Sequence, residues 1–151
     1  MGRALGIDYG ERRIGIAISD PTQTVAQPLA PLLRRRGKRP PVQALLDLIA
    51  QHEIEHLVVG LPLSPAGDDT DWTREVRDFG NTLAARAGLG IDFVDERMTS
   101  AAAERAVRSL GLRKSEREQK ERVDTAAAML ILQAWLNRVR PPASDEHAAG
   151  K

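Results

Sequence analysis

Three acidic positions stand where apolar runs stop. Asp8 closes the run in GIDYG, Asp95 and Glu96 follow IDFV in the DER at 95–97, and Asp124 opens VDTAAAML. A carboxylate between a buried strand and a tight glycine turn is costly unless hydrogen bonds, a cation or a metal meet it. Asp95 and Glu96 would point to opposite faces of a continued strand, so one of the two would face a site there. Asp124, Ala127, Ala128 and Ile131 fall at i, i+3, i+4 and i+7, which sets the carboxylate beside the buried stripe of a helix. Carboxylates from three elements converging at one sheet edge would suit a hard divalent cation such as Mg²⁺ or Mn²⁺, with water and substrate phosphate completing its shell. Plainer roles stay open for each: Asp8 bonding turn amides, Asp95 or Glu96 decorating a positive helix end, Asp124 capping the last helix.

The basic residues cluster although the net charge is only +1. Arg34, Arg35, Arg36, Lys38 and Arg39 put five positive charges in RRRGKR with no negative one. The stretch 105–122 sets Arg105, Arg108, Arg113, Lys114, Arg117, Lys120 and Arg122 against Glu116, Glu118 and Glu121. Such patches attract phosphate backbones through counterion release, a solvated basic loop being the alternative. Arg12 and Arg97 are candidates to clamp phosphate, and Thr99 and Ser100 offer hydroxyls or helix amides at the same edge, with surface pairing the rival role for each arginine. Cysteine is absent, which excludes disulfides, thiolate zinc sites and cysteine nucleophiles. His52, His56 and His147 show no metal-ligand spacing and read as surface residues. Five aromatic residues are too few for a platform that stacks successive bases.

The elements that must position these groups follow from periodicity. Residues 3–8 and 13–19 read as a β-hairpin around YGER, and 24–30 as a third strand that Pro28 confines to an edge or ends. Pro40 and Pro41 introduce a helix over 41–52, with Val42, Leu45, Leu46 and Ile49 on its apolar face. HLVVG at 56–60 predicts a strand buried on both faces, and LPLSPAGDD at 61–69 a long mobile loop. Asp71 is expected to cap a helix with Trp72, Val76, Phe79, Leu83 and Ala87 inward, ending at Gly88 and Gly90. IDFV at 91–94 is another strand. Thr99 or Ser100 then caps a helix to about 110 that Gly111 closes, and Val123 to Val139 forms the last helix, with Ala127, Ile131 and Trp135 on one side. Hairpin strands followed by strands joined through helices imply one mixed sheet covered on both sides, an α/β fold.

At 151 residues, with 42% hydrophobic and 28% charged composition, the chain is one domain, neither fibrous nor disordered. Residues 1–140 are expected to form it and 141–151 a disordered polar tail. No apolar run approaches the ~20 residues of a membrane span, and the start lacks a secretion signal, so a cytoplasmic protein is expected.

GIDYGERRIGIAISD at 6–20, VVGLPLSPAG at 58–67, DERMTS at 95–100 and VDTAAAMLILQ at 123–133 resemble the four motifs of the YqgF/RuvX family. That family comprises pre-16S rRNA nucleases related to RuvC-type Holliday junction resolvases. The resemblance implies a ribonuclease H-like fold, a five-stranded mixed sheet flanked by helices on both faces, and a cytoplasmic role in maturing the 5′ end of the ribosomal RNA. It gives the acidic roles to Asp8, Glu96 and Asp124, with Asp95 a candidate fourth member. RuvC-type resolvases carry an acid near the fourth strand, where this chain has Gly60, Leu61 and Pro62. A metal cage here must therefore be built differently. The expected chemistry is phosphodiester hydrolysis with two Mg²⁺ or Mn²⁺ ions and no protein nucleophile. The basic stretches would hold pre-rRNA by shape. Branched DNA is the rival substrate, and symmetric junction cutting would need a homodimer where a monomer otherwise suffices. Two further readings stand beside these. One is a non-catalytic RNA-binding assembly factor. The other is a nucleotide-binding fold of the sugar-kinase and actin type, suggested by Asp8, Gly10 and Gly15 but needing two such domains.

Overall fold

Side-chain size alternates along the first strand, and this decides what packs on each face. In β1 (Arg3–Tyr9), Leu5, Ile7 and Tyr9 share one face, and Ala4, Gly6 and Asp8 share the other. The computed structural model describes residues 2–34, 39–99 and 116–139, without the side chains of Met98 and of residues 116–125. The helix expected from Thr99 or Ser100 to about 110, its closing Gly111, the tail from 141 and His147 lie outside the described residues.

β2 (Arg13–Ser19) folds back antiparallel, with Leu5 opposite Ile18 and Asp8 opposite Gly15. The Gly10 N–H donates to the Arg13 carbonyl at 2.9 Å, and a Cβ on Gly10 would stand 2.5 Å from that oxygen, so this turn requires glycine. β3 (Ala26–Leu33) pairs with β2 at the sheet edge, starting later and running further than 24–30. Pro28 and Pro31 cannot donate to a ladder, which an edge strand tolerates.

α1 (Val42–Gln51) leads into β4 (Ile54–Leu61), parallel to β1, and α2 (Asp71–Ala87) into β5 (Gly90–Asp95), parallel to β4. A single 3-10 turn, Glu96–Met98, follows β5, and α3 spans Glu116–Val139. The strand order β3-β2-β1-β4-β5 makes the expected five-stranded mixed sheet. Leu45 and Ile49 of α1 and Val76, Phe79 and Leu83 of α2 cover Leu5, Ile7, Ile14, Leu57 and Val59. On the other face α3 packs Ala127, Ala128, Ile131, Leu132 and Trp135 against Ala4, Ala17, Val58 and Val94. Small residues let it come close: a Cβ on Gly6 would lie 2.7 Å from Leu132 Cβ and 3.2 Å from the Ala128 carbonyl oxygen. Among the described residues no helix is long and apolar enough to cross a membrane.

Four local expectations are corrected. Thr70, not Asp71, caps α2: its hydroxyl accepts from Thr73 N–H at 3.1 Å while the Thr73 hydroxyl accepts from Thr70 N–H at 3.0 Å, a reciprocal capping box that leaves Asp71 in the first turn. Leu61 completes β4, and the loop after it is braced by Ser64, whose N–H donates to the Asp68 carbonyl and whose hydroxyl accepts from Asp68 N–H. Asp124 does not open the last helix but lies about two turns inside it. EREQKER at 116–122 is made of strong helix formers with Glu-to-Lys and Glu-to-Arg spacings of four, which extend α3 with no apolar period to show it. His56 is not a solvated surface residue: its ring stacks on Trp135 at 4.8 Å and shares a hydrogen bond with Asp92 at 3.0 Å.

Candidate active site

Asp8 sits near the end of β1 on the face that α3 covers, 5% exposed. Its neighbour on β2 is Gly15, and continuing the Ile7–Val59 register by one residue places Gly60 of β4 on its other side. A glycine thus flanks Asp8 on each neighbouring strand. Glu96, the first residue after β5, is equally buried, and its Oε1 lies 2.9 Å from where a Cβ of Gly60 would stand. Its carboxylate therefore extends over β4 toward β1. Asp8 and Glu96 line one cleft of about 200 Å³ with Tyr9, Gly10, Glu11, Pro62 and Trp72. It opens at the carboxyl ends of the parallel strands β1 and β4, where open α/β sheets hold their ligands.

The backbone of α3 reaches the same end. Trp135 lies at His56 and Ile131 at Gly60, so the helix runs antiparallel to β4. The Ala128 carbonyl lies over Gly6. Residue 124 is one turn, ~6 Å, before Ala128, and Asp8 is two residues, ~6.6 Å, beyond Gly6. The Asp124 side chain itself lies outside the described part. Among the described residues no three His, Asp or Glu side chains gather as a metal-binding group; of the acids that line the cleft, Asp8 and Glu96 are buried and Glu11 is exposed.

Asp95 is employed elsewhere. It accepts from Arg97 N–H at 2.9 Å and from the Arg97 guanidinium through Nε at 3.1 Å and Nη2 at 2.7 Å, and this pairing holds its carboxyl below the ordinary range. Arg97 Nη1 also donates to the Pro65 carbonyl at 3.2 Å, and the guanidinium lies against Gly67, whose φ of 90° belongs to the left-handed region. Arg97 thus ties the turn that carries Glu96 to the 62–70 loop. Thr99 closes that turn through its hydroxyl and N–H, both donating to the Glu96 carbonyl.

Arg34 braces the β1–β2 turn. Its Nη1 donates to the Gly10 carbonyl at 2.8 Å, its backbone N–H to the Arg12 carbonyl at 2.7 Å, and its guanidinium lies 4.5 Å from the Tyr9 ring centre. Arg12, in that turn, and Arg39 are exposed. Arg35, Arg36, Lys38, Arg113 and Lys114 lie outside the described residues, and Arg117 is on α3 with its side chain likewise outside. Sequence reasoning overlooked Tyr9 and Trp72 as cleft residues. Tyr9 follows Asp8 directly, which was the available signal. Burial pushes the Tyr9 hydroxyl above its ordinary range in spite of Arg34.

A family profile described as RuvX, Holliday junction resolvase, matches residues 2–138. A protein of Maridesulfovibrio salexigens with the provisional name pre-16S rRNA nuclease is 41% identical over 136 residues, 90% of this chain and 98% of that one. One of the same name from Koribacter versatilis is 44% identical over 137 residues, 91% of this chain and 88% of its own. Among solved structures, T. thermophilus RuvC in complex with a Holliday junction substrate superposes with a TM-score of 0.53 at 13% identity, over 93% of this chain and 97% of that one. At that identity the likeness is one of fold: the sheet and helices are those of RuvC.

Proposed function

The chain belongs to the RuvX family, and from that premise we propose that it is a divalent-metal-dependent nuclease acting in the cytoplasm on the 5′ end of pre-16S rRNA. One observation carries the reading: two buried carboxylates, Asp8 and Glu96, line a single cleft on either side of Gly60. Carboxylate oxygens are the ligands that hard cations take, and the run of α3 toward Asp8 supports Asp124 as the third donor.

Asp8, Glu96 and Asp124 would hold Mg²⁺ or Mn²⁺. Bound there, such ions would supply Lewis-acid activation of water and charge compensation for phosphodiester hydrolysis. The protein's own share is to hold its acids rigidly. Gly60 admits the Glu96 carboxylate over β4, Thr99 and Arg97 fix the turn under Glu96, and Arg34 fixes the turn after Asp8. Arg12 and Arg39, with the basic residues of 34–39 and 113–117, supply positive charge for the phosphate backbone.

The test offers purified protein a labelled pre-16S leader and a four-way DNA junction side by side, with Mn²⁺, with Mg²⁺ and with chelator. Cleavage of the leader that needs metal and is abolished by Asp8→Asn is the expected result. Preferential cutting of the junction would transfer the reading to resolution, which the family description names. Binding without cleavage under every metal condition would overturn the nuclease.

A further inference from the structure

Three aromatic rings lead from the core to the cleft. Phe79 and Tyr9 are buried, with centroids 4.0 Å apart and planes 17° from parallel. Trp72 follows at 5.6 Å from Tyr9 and 16° from parallel, partly exposed, on the wall of the cleft that Asp8 and Glu96 also line. The helix start that carries Trp72 is fixed by the Thr70–Thr73 capping box and by the buried Thr73 hydroxyl, which donates to the Pro62 carbonyl. A rigid, near-parallel ring series that ends at a cleft wall offers its outermost ring as the next stacking surface. The Arg34 guanidinium over Tyr9 puts positive charge in the same cluster.

We propose that Trp72 is a base-stacking subsite, which takes the face of one unpaired nucleobase beside the phosphate held at the acid pair. The proposal rests on the nuclease reading and sharpens its substrate class. A base inside a duplex has both faces covered by its neighbours, so only an unpaired nucleotide can present one to the indole. The scarcity of aromatic residues excludes a platform for successive bases but not a single seat. Such a seat selects single-stranded or frayed nucleic acid over intact helix.

The chain has two tryptophans, and Trp135 is 6% exposed against His56 and Asp92 at the opposite end of β4, so fluorescence quenching at the cleft reports on Trp72. The experiment titrates the full chain, in calcium to suppress cleavage, with an unpaired octaribonucleotide and with the same strand in a duplex. Quenching by the unpaired strand alone is expected. Trp72→Ala should weaken its binding about tenfold and Trp72→Phe less than about threefold, with quenching lost in both. Equal quenching by the duplex, or unchanged affinity in a folded Trp72→Ala protein, overturns the proposal. If Trp72→Ala melts early, the parent titration and Trp72→Phe decide. The two readings fail separately: absence of metal-dependent cleavage leaves the quench measurable, and absence of the quench leaves cleavage measurable.

Discussion

The Glu96 carboxylate lies so closely over Gly60 that a β-carbon at position 60 would stand 2.9 Å from its Oε1, and 2.4 Å from Ile131 Cδ1. Position 60 lacks a side chain because β5 and α3 have already filled the space above it. The volume a side chain at position 60 would need is taken by the Glu96 carboxylate, arriving from the turn after β5, and by Ile131 of α3. The acid in front of β4 is thus supplied by the turn after β5.

Gly60→Ala should therefore damage activity through Glu96. Inserting a methyl group into this packed spot costs about 1–3 kcal/mol and displaces the carboxylate or Ile131. A fall in melting temperature of several degrees and at least a tenfold loss of cleavage are expected. In a Glu96→Ala background the same substitution should cost less stability, because one of its two clashes has gone. Thermal melting of the four proteins measures the coupling, and strict additivity would show that position 60 does not act on Glu96.

A metal cage has a signature that needs no substrate. Ligand at about a hundredfold excess over Kd stabilises a fold by ~2.7 kcal/mol, which for a domain of this size is roughly 5–10 °C in Tm. Mn²⁺ should produce such a shift in the parent, and Asp8→Asn or Asp124→Asn should remove most of it. A melting temperature indifferent to Mn²⁺ in the parent would leave the acids as structural groups.

Much of this site is written locally, and the rest needs three dimensions. Asp8 and Glu96 are legible as acids at the ends of apolar strands because burial of a strand shows in its own residues. Their meeting is not legible, since it depends on Gly60, whose meaning appears only when β1, β4 and β5 are in register. The start of α3 is hidden because 116–122 has no apolar stripe from which a helical period could be read, although its residues favour helix. Thr70 and Asp71 are both capping types, and only Thr73, three residues on, decides between them. Trp72 occupies a core-facing period of α2, but periodicity gives a face and not the distance along the helix to a cleft. His56 meets Trp135 through the packing of α3, which no local pattern records.

Arg97 offers a test of positioning against phosphate binding. Its guanidinium is engaged with Asp95 and the Pro65 carbonyl, so Arg97→Lys loses the forked pairing while keeping the charge. If the residue serves to hold the Glu96 turn, kcat should fall about tenfold with KM nearly unchanged. A rise in KM alone, steeper at high salt, would instead mark Arg97 as a phosphate ligand.

Stability should fall on acidification for a nameable set of groups. Burial opposes ionisation of Asp92, but hydrogen bonds from the Trp135 indole and from His56, with Arg138 nearby, outweigh it and hold the carboxyl below its ordinary value. Asp20 is lowered by Thr22 and by the Val25 and Thr24 amides, and Asp95 by Arg97. A carboxylate depressed in the folded state contributes stability that is fully present above its unfolded pKa, near 4, and is lost as pH falls through the folded value. Melting temperature should thus hold between pH 5 and 7 and decline below about pH 4. Asp92→Asn should melt earlier than the parent at neutral pH, and the gap should narrow on acidification as the parent's own Asp92 protonates. A gap that stays constant from pH 7 to pH 2 would show that the Trp135–Asp92 bond acts through its geometry and not its charge.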